Sequence, residues 1–517
     1  MFLEGSDSGS PGWVSRGVGL EQGLVAVLLA ALLVACSPRA QAGDPTPLPL
    51  QTDAALEAEV DDIFREHDST HSPGCAVAVV QEGQLVLSQG YGVANLDHRI
   101  PLRSTSVFRI ASVSKQFTAA AILLLAHDGV LALDDDVRRF IPELPEFDRT
   151  ITIGDLIHHT SGLRDYLVLL TLSGVPITDE ITDTHVLDLL SRQEDLNFPP
   201  GQEFLYSNTG YVLLAEIVRR ASGESLRQYA RERLFRPLGM QQTHFHDDAG
   251  EVVPERATGY AVEGGQYKEA VLRMSIVGDG GLFTSVRDLA RWESVFVGPL
   301  PPEQDPRHRV VRILREGMTR LGHQAGGSRL NYGFGTYRSA LGRLETVEHS
   351  GSFAGYEANV IRVPSERTSI MVLCNVSSAG AVRLSREVGR AFLGHRTGPI
   401  PELDERAGQT QGAPEPDFQP DSETLEEQIG DYWSPELQVT YRIRRLSDYL
   451  RLEEPALLAS ALRPMEEDVY RLGGAVLRFQ RDREGAIQGF RLDTGRALNL
   501  RFDRVEAGEE PGESDGR

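Results

Sequence analysis

A serine and a lysine three residues apart, Ser112 and Lys115, form the pattern in this chain best suited to catalysis. Residues three apart on a helix lie on the same face, so these side chains would meet. A serine hydroxyl is a weak nucleophile until a base takes its proton, and a buried lysine can be that base because burial lowers its pKa. The spacing favours acyl transfer to Ser112, although a serine that caps a helix beside a solvated lysine has the same pattern.

The choice of basic residues supports the catalytic interpretation. Of the 52 Lys+Arg residues, only Lys115 and Lys268 are lysines. Arginine keeps its charge in proteins and would not act as the base, so a lysine at position 115 is the residue that the chemistry needs. Lys268 lies in a polar stretch and is ascribed to chance. Ser114 offers no competing pair, because Phe117 stands three residues after it.

Two later motifs supply possible partners. Tyr206 and Asn208 form a Tyr-x-Asn before an apolar helical run, where a phenol and an amide can project into a cleft. His349 and Gly351 form a His-x-Gly between two strand-like runs, where a glycine lets substrate approach the strand closely. Each has a plainer interpretation: the tyrosine and histidine could pack, and the asparagine could cap the next helix.

The three motifs together, in this order, resemble those of penicillin-recognising serine hydrolases related to class C β-lactamases. The resemblance extends over roughly residues 55–393. It implies that Ser112 is the nucleophile, Lys115 the base beside it and Tyr206 a relay of protons to and from Ser112 and the leaving group. It implies substrate-binding roles for four further residues: Asn208, His349, Gly351 and Ser352.

Each of these binding roles is specific. Asn208 would hold the substrate amide, and His349, beside the Tyr206 hydroxyl, would offer hydrogen bonding or positive charge to a substrate carboxylate. The backbone N–H groups of Ser112 and Ser352 would form the oxyanion hole. Other stretches that look like the family are expected to be scaffold and cleft walls, with two residues able to border the pocket: Asp279 and Gly280.

The elements that must position these groups can be predicted. Apolar runs on either side of residues 81–83 predict a β-hairpin, and helical spacing predicts a helix from Ser112 to Leu125. Near the end of the region, strand-like runs and a helix are predicted at residues 344–348, 358–363, 368–374 and 379–393. The predicted class is α/β, with strands from both ends in one sheet. The resemblance implies a β-lactamase/transpeptidase-like antiparallel sheet flanked by helices, with a helical subdomain.

The C-terminal region has a different pattern. Short alternating runs such as Val439, Tyr441 and Ile443 predict an all-β barrel or sandwich of about eight strands. This part resembles the lipocalin-like domains that follow some proteins of the family. The predicted organisation is a signal peptide with lipobox (1–36), a linker (37–54), the hydrolase domain (55–396), a linker (397–420), the lipocalin-like domain (421–505) and an acidic tail (506–517).

The N-terminal residues predict export. The apolar run from Leu24 to Ala35 is too short to span a bilayer and is followed by Cys36, which resembles a bacterial lipobox. A lipidated Cys36 would anchor the protein to a membrane surface in the cell envelope. The acidic residues Glu4 and Glu21 fit a signal poorly, so an N-terminal extension ahead of the true start is the alternative.

The other two cysteines, Cys75 and Cys374, lie in strand-like runs. Buried free thiols are the default expectation, although thiols on neighbouring strands could pair after export.

Charge and motif content exclude other functions. The net charge of −23 and the absence of a basic run argue against nucleic-acid binding. There is no His-Glu-x-x-His, and the adjacent His158 and His159 would point apart, so neither a metal nor a cofactor is predicted. The expected partner is a small-molecule or peptide substrate, and the oligomeric state stays open.

Three functions stay open at this point. A peptidase-like enzyme acting on D-amino-acid peptides, or an esterase, is favoured because His349 stands where β-lactamases carry lysine. The alternatives are a true class C-like β-lactamase and a non-catalytic envelope protein, and the three intact motifs argue against the last.

Overall fold

The computed structural model describes residues 54–176, 178–318, 324–325, 328–329, 331–398, 418–455 and 458–506. All of these belong to one compact unit that begins at residue 49. The predicted signal peptide with Cys36, the residues 399–417 of the second linker and the acidic tail from 507 lie outside the described residues. No helix in the described ranges is long and apolar enough to cross a membrane.

An antiparallel sheet of seven strands forms the centre of the first domain. Its strands are β1 (Cys75–Gln81), β2 (Gln84–Tyr91), β3 (Tyr332–Gly333), β4 (Thr336–Leu341), β5 (Leu344–Phe353), β6 (Tyr356–Val363) and β7 (Thr368–Cys374). Their order across the sheet is β3-β4-β5-β6-β7-β1-β2. The predicted hairpin is confirmed as β1 and β2, and the prediction that strands from both ends of the domain share one sheet is confirmed by the β1–β7 pairing.

The pairing of β1 with β7 places Cys75 directly opposite Cys374. The two form a disulfide, so the default expectation of free thiols is wrong and the alternative of pairing is confirmed. The sequence could not decide this, because a separation of 299 positions between the cysteines gives no information on register. The bond joins the first and last strands of the domain.

Helices cover the sheet and form the helical subdomain. They are α1 (Ala54–Ile63), α2 (Lys115–His127), α3 (Ile153–His158), α4 (Tyr166–Leu172), α5 (Asp183–Ser191), α6 (Asn208–Ser222), α7 (Leu226–Ala230), α8 (Arg236–Leu238), α9 (Val286–Val297), α10 (His308–Met318) and α11 (Ala381–Leu393), and α12 (Ser422–Glu427) precedes the C-terminal domain. α2 is apolar around almost its whole circumference, which is typical of a helix in the middle of a core. There Phe117 packs on the Trp292 ring of α9 at 4.3 Å between ring centroids.

Shorter strands connect these elements. They are Val93–Asn95, Ile100–Pro101, Phe108–Arg109, His244–Phe245, Tyr260–Glu263, Gln266–Glu269, Leu282–Thr284, Gln324–Ala325 and Ser328–Arg329. Phe108–Arg109 pairs with Leu282–Thr284, which places the chain just before α2 beside the glycine-rich stretch that ends at Leu282.

The C-terminal domain is a closed antiparallel barrel of eight strands, which confirms the all-β prediction. The strands are β8 (Gly430–Ser434), β9 (Val439–Leu446), β10 (Tyr449–Glu454), β11 (Ser460–Glu466), β12 (Val469–Leu472), β13 (Ala475–Arg481), β14 (Ile487–Asp493) and β15 (Leu500–Val505). β8 pairs with β15 as well as with β9, so the sheet has no free edge.

A buried ion pair fastens the barrel to the first domain. Arg164 and Glu436 pair with side chains that are 0% and 1% exposed. The Arg164 Nε also donates to the Leu498 carbonyl at 2.9 Å, and the Tyr441 hydroxyl donates to the Leu172 carbonyl at 3.0 Å. These contacts place the turn between β14 and β15 beside the residues just before α4, and they place β9 beside the end of α4.

Candidate active site

Ser112 lies in a 3₁₀ turn, Ala111–Ser114, that continues into α2. The turn begins at Ala111, whose φ of 47° lies in the left-handed region that few non-glycine residues adopt. Ser112 opens onto a cleft of about 410 Å³, and it is less buried than its neighbours Val113 and Ser114. The serine is thus placed at the start of a central helix with its hydroxyl accessible from the cleft.

Lys115 is fully buried, and its Nζ has three oxygen neighbours. Nζ lies 3.2 Å from Ser112 Oγ, 2.8 Å from Asn208 Oδ1 and 2.7 Å from the Asp279 carbonyl oxygen. A neutral amine has two hydrogens and one lone pair, and the Asn208 and Asp279 oxygens can only accept. They take both hydrogens, so the lone pair is left to accept the Ser112 proton.

Burial also sets the protonation of this lysine. Desolvation lowers the pKa of Lys115 to about 8, and the charge of Asp279 opposes that change. A neutral amine is therefore accessible near neutral pH.

The neighbouring Ser114 is excluded from the cleft. Its Oγ donates to the Ala111 carbonyl at 2.6 Å and accepts from the Leu282 backbone N–H at 3.2 Å. Both contacts hold the turn against the strand beside it, so Ser114 is part of the scaffold.

The Tyr206 ring lies directly over this pair. Lys115 Nζ is 4.8 Å from the ring centroid. Burial raises the pKa of Tyr206, and the nearby Ser112 hydroxyl reduces that rise only in part, so the phenol keeps its proton. No described residue makes a hydrogen bond of good geometry to this hydroxyl, which leaves it available to a substrate.

His159 holds Tyr206 in place. Its ring packs on the Tyr206 ring with centroids 4.3 Å apart, and its Nδ1 accepts from the Ser207 backbone N–H at 3.2 Å. Burial lowers the pKa of His159 well below its usual value, and the positive charge of Lys115 adds to this. The neutral imidazole is thus a positioning group behind Tyr206.

Asn208 lies in the cleft wall, and its amide bonds to two buried residues. Its Oδ1 accepts from Lys115, and its Nδ2 donates to Asp165 Oδ2 at 2.9 Å. Asp165 is buried and also accepts from the Asn208 backbone N–H at 2.8 Å. The Oδ1 contact orients the lysine, and Nδ2 carries a second hydrogen, so the predicted contact with a substrate amide stays a prediction.

His349 is buried beside the cleft, with its ring centroid 6.1 Å from that of Tyr206. Its Nδ1 lies 2.6 Å from the Ser350 carbonyl and donates to it, which leaves Nε2 to accept from the Tyr332 hydroxyl at 3.3 Å. Burial and the nearby Lys115 lower the pKa of His349 to about 3. The ring is neutral at physiological pH, so the predicted positive charge does not fit, and in this tautomer its one N–H is already donated to Ser350.

Gly351 lies against the backbone that carries Ser112. A Cβ at this position would lie 2.3 Å from the Ile110 carbonyl oxygen and 3.0 Å from the Ser112 nitrogen. The glycine was predicted to let substrate approach the strand closely, and in the structure it also lets the chain's own backbone approach. Gly351 allows β5 and the Ser112 turn to touch.

The same end of β5 has an open edge. The pairing with β4 stops at Glu348, and the pairing with β6 continues to Phe353. Ser352 therefore lies where one edge of the strand has no strand partner among the described residues, and it lines the cleft. This is the arrangement expected for a backbone N–H that faces the cleft beside Ser112.

The prediction that Asp279 and Gly280 border the pocket is confirmed. Asp279 Oδ2 accepts from the Tyr166 hydroxyl at 3.2 Å, and burial raises the pKa of this carboxyl. Its carbonyl holds Lys115, so the residue acts on the site through its backbone as well as its charge.

Sequence reasoning missed four residues at the site: His159, Asp165, Arg109 and Arg496. His159 lies inside the family-like stretch at residues 151–163 and Asp165 lies two residues after it, which was a usable signal. Arg109 lines the cleft and belongs to the short strand Phe108–Arg109, which precedes the Ser112 turn. Arg496 belongs to the barrel, and nothing in the sequence connects it to a cleft formed some 300 residues earlier.

Comparison with known proteins places this geometry in a family. The family model described as beta-lactamase matches residues 60–392. The chain therefore belongs to the beta-lactamase family, whose members are serine hydrolases.

Curated relatives are similar over the same region. A D-aminopeptidase of Gluconobacter oxydans is 31% identical over 324 residues, which are 62% of this chain and 59% of that protein. Penicillin-binding protein 4* of Bacillus subtilis is 29% identical over 333 residues, 60% of this chain and 70% of that one. The chain thus spans about 59% of the length of the D-aminopeptidase.

A solved structure extends the likeness beyond the family region. The octameric penicillin-binding protein homologue from Pyrococcus abyssi is 23% identical with a TM-score of 0.57, and the match covers 87% of this chain and 99% of that one. At this identity the likeness concerns the fold.

Proposed function

We propose that this protein is a serine hydrolase that transfers the acyl group of an amide or ester to Ser112 and then to water. The observation that carries the proposal is the set of contacts around Lys115 Nζ. Two oxygens that can only accept take its hydrogens, and the third neighbour is the Ser112 hydroxyl. This arrangement is that of a general base aimed at one nucleophile.

Acylation follows from these contacts. Ser112 Oγ passes its proton to Lys115 Nζ and bonds to the substrate carbonyl carbon, which becomes tetrahedral. The resulting oxyanion accepts hydrogen bonds from the backbone N–H groups of Ser112 and Ser352, where β5 lies against the Ser112 turn. These donors are fixed before the reaction, so they need no reorganisation as the charge develops.

The protonated Tyr206 suits the next step. Its hydroxyl donates a proton to the leaving nitrogen or oxygen as the bond to the acyl carbon breaks, and the Lys115 ammonium returns a proton to Tyr206. Water then attacks the acyl-enzyme, and its proton passes through Tyr206 to Lys115. As the bond between Ser112 Oγ and the acyl carbon breaks, Lys115 returns this proton to Ser112 Oγ and the product acid leaves.

The favoured substrate is a short peptide of D-amino acids, with an ester as the second possibility. The relative that is 31% identical is named D-aminopeptidase, and a neutral histidine at position 349 supports a peptidase-like or esterase activity over a β-lactamase.

Labelling with a fluorophosphonate tests the nucleophile directly. Intact mass spectrometry of the full chain is expected to show one adduct on the parent and on Ser114→Ala, and none on Ser112→Ala. The Ser114 variant is the matched control because its hydroxyl is buried in the same turn. An unlabelled parent, or equal labelling of Ser112→Ala, would contradict the proposal.

Turnover of a chromogenic cephalosporin distinguishes the proposed peptidase or esterase from a true β-lactamase. The proposal predicts that Ser112 is acylated and released slowly, over minutes, while rapid turnover by the parent would identify a β-lactamase.

We also propose that the protein is exported and anchored in the cell envelope through a lipid on Cys36. The buried disulfide supports export, since such bonds persist in oxidising compartments. Membrane fractionation of the parent and Cys36→Ala tests the anchor, and the variant is expected in the soluble fraction. Unchanged partitioning would overturn the anchor.

A further inference from the structure

A barrel arginine reaches the cleft of the first domain. Arg496 lies in the turn between β14 and β15, and it lines the cleft together with Ser112 and Tyr206. Its guanidinium carbon is 5.1 Å from the Tyr206 ring centroid. The two domains therefore contribute to one site.

The backbone of this turn is held in place by the first domain. The Arg496 carbonyl accepts from the Asp165 backbone N–H and from Asn197 Nδ2, each at 3.1 Å. Asn197 Oδ1 accepts in turn from the Leu498 N–H at 2.8 Å, and Arg164 holds the Leu498 carbonyl. The position of the arginine is consequently fixed by docking of the folded barrel.

The Arg496 guanidinium makes weaker contacts with the protein than the Arg496 backbone does. Its nearest carboxylate is Asp165, at 3.6 Å from Nη1 to Oδ2, which is beyond hydrogen-bond distance. The side chain is 45% exposed. Its N–H groups can thus bind a ligand in the cleft without breaking a short ion pair.

The other basic groups at the cleft are less available. Arg109 is buried, with 7% of its surface exposed. Lys115 is enclosed by its oxygen partners, and His349 is neutral. Of the described cleft-lining residues, Arg496 is therefore the cation that a substrate in solution meets.

Its place beside Tyr206 indicates which part of the substrate it meets. In the function proposed above, Tyr206 gives a proton to the leaving nitrogen, so groups around its ring surround the leaving group. In a carboxyl-terminal amino acid the carboxylate carbon lies about 2.5 Å from that nitrogen. A guanidinium over the Tyr206 ring is within reach of such a carboxylate.

We propose that Arg496 binds the free carboxylate of the leaving group, so that the preferred substrate is a peptide cleaved before its carboxyl-terminal residue. Guanidinium groups bind carboxylates through two parallel hydrogen bonds, which fix orientation as well as supply energy. The proposal rests on the acyl transfer to Ser112 proposed above, and it assigns to the barrel the selection of substrate by charge.

Two dipeptides that differ only in charge test this inference: D-alanyl-D-alanine and D-alanyl-D-alaninamide. Cleavage between the two alanines is followed by chromatography with the full-length parent. The parent is expected to favour the acid over the amide by about tenfold or more in kcat/KM, because a hydrogen-bonded charge is worth one to two orders of magnitude.

Arg496→Gln is expected to reduce the acid-to-amide ratio by about 10- to 100-fold, mainly through KM for the acid. Arg496→Lys is expected to restore part of it, since the charge remains and the two-bond geometry does not. The matched control is Arg478→Gln, which removes a barrel arginine that is likewise 45% exposed and paired with a carboxylate, Asp493, but is not among the residues that line the cleft. Its ratio should equal that of the parent.

Two results would overturn the proposal: a parent without preference for the acid, or an Arg496→Gln variant that loses acid and amide cleavage equally. The second result would assign Arg496 to fixing Asp165. Hydrolysis of p-nitrophenyl acetate by the parent, compared with Ser112→Ala, separates the two proposals. Ser112-dependent ester hydrolysis without a preference for the acid refutes only the role of Arg496, and its absence refutes the acyl transfer.

Discussion

The two domains use their interiors in opposite ways. In the first domain, polar side chains around Lys115 are buried beside the cleft, and Asn208 joins Lys115 to Asp165 through hydrogen bonds. The barrel instead fills its interior with aromatic side chains, all buried: Tyr432, Tyr441, Tyr470, Phe479, Phe490 and Phe502. The hydroxyl of Tyr441, for example, is directed to the Leu172 carbonyl of the other domain. The difference teaches that the barrel meets the first domain at its rim, where Arg496 lies, and that the barrel interior is filled by its own residues.

The largest effect is expected from a substitution of the buried Lys115. Lys115→Arg should lower kcat/KM by about 10⁴-fold, because a guanidinium keeps its proton and the general base is lost. Steady-state hydrolysis measures this loss. Lys268→Arg is the matched control at the other lysine, which is 59% exposed and pairs with Glu263. A loss of less than tenfold in Lys115→Arg would show that the amine is not the base.

The next largest effect concerns the contact between the domains. Glu436→Gln should lower the free energy of unfolding by about 3 kcal/mol, because it leaves the buried Arg164 charge without its partner. Burial has a larger effect than the partner's charge on the pKa of both groups, so the pKa of Arg164 is lowered and that of Glu436 is raised. Urea denaturation measures the change.

The double variant Arg164→Met with Glu436→Met is the control for this pair. It should be more stable than the single variant, since no charge stays buried alone. If the double variant is the less stable, the ion pair itself stabilises the docking.

A smaller effect is expected where β5 touches the Ser112 turn. Gly351→Ala should reduce kcat/KM by about 100-fold, because its Cβ would collide with the Ile110 carbonyl and move the oxyanion-hole donors. Kinetics with the peptide and ester substrates measure the reduction. The barrel offers the control Gly474→Ala, where no atom lies within 4 Å of the added Cβ. Equal kinetics for the two variants would refute the close packing.

The smallest effect is expected inside the barrel. Phe490→Leu should lower the free energy of unfolding by about 1 to 2 kcal/mol through lost aromatic packing, while kcat/KM of the folded protein changes less than twofold. Denaturation and kinetics on one preparation measure both quantities. A change of more than twofold in kcat/KM of the folded protein would mean that the barrel interior takes part in substrate binding.

The sequence was informative where function depends on local spacing. Ser112 and Lys115 meet because a helix brings residues three apart together. The strands of the first domain follow from apolar runs, and those of the C-terminal domain follow from alternation of apolar residues. The shared sheet was predicted on these grounds, whereas the C-terminal domain was predicted as a barrel or a sandwich, and the structure shows the closed barrel.

The sequence was less informative where a role depends on distant contacts. Asn208 was predicted to hold the substrate amide, and the sequence did not show that its side chain also bonds to Lys115 and Asp165. His349 was predicted to offer hydrogen bonding or positive charge, but burial lowers the pKa of its ring and keeps it neutral. Arg496 was missed, because its place in the cleft depends on how the barrel docks, which no local pattern encodes.

The central claim is that a neutral Lys115 activates Ser112, and the pH dependence of fluorophosphonate labelling tests it most directly. The second-order rate constant is measured from pH 6 to 10 on the parent and on Lys115→Arg. Since the neutral amine is the active form and its pKa is about 8, the parent rate should rise about tenfold per pH unit below pH 8 and level off above it. The variant should be slow and show no such rise. A parent rate that is independent of pH, or that keeps rising towards the usual lysine value of 10.5, would contradict the account.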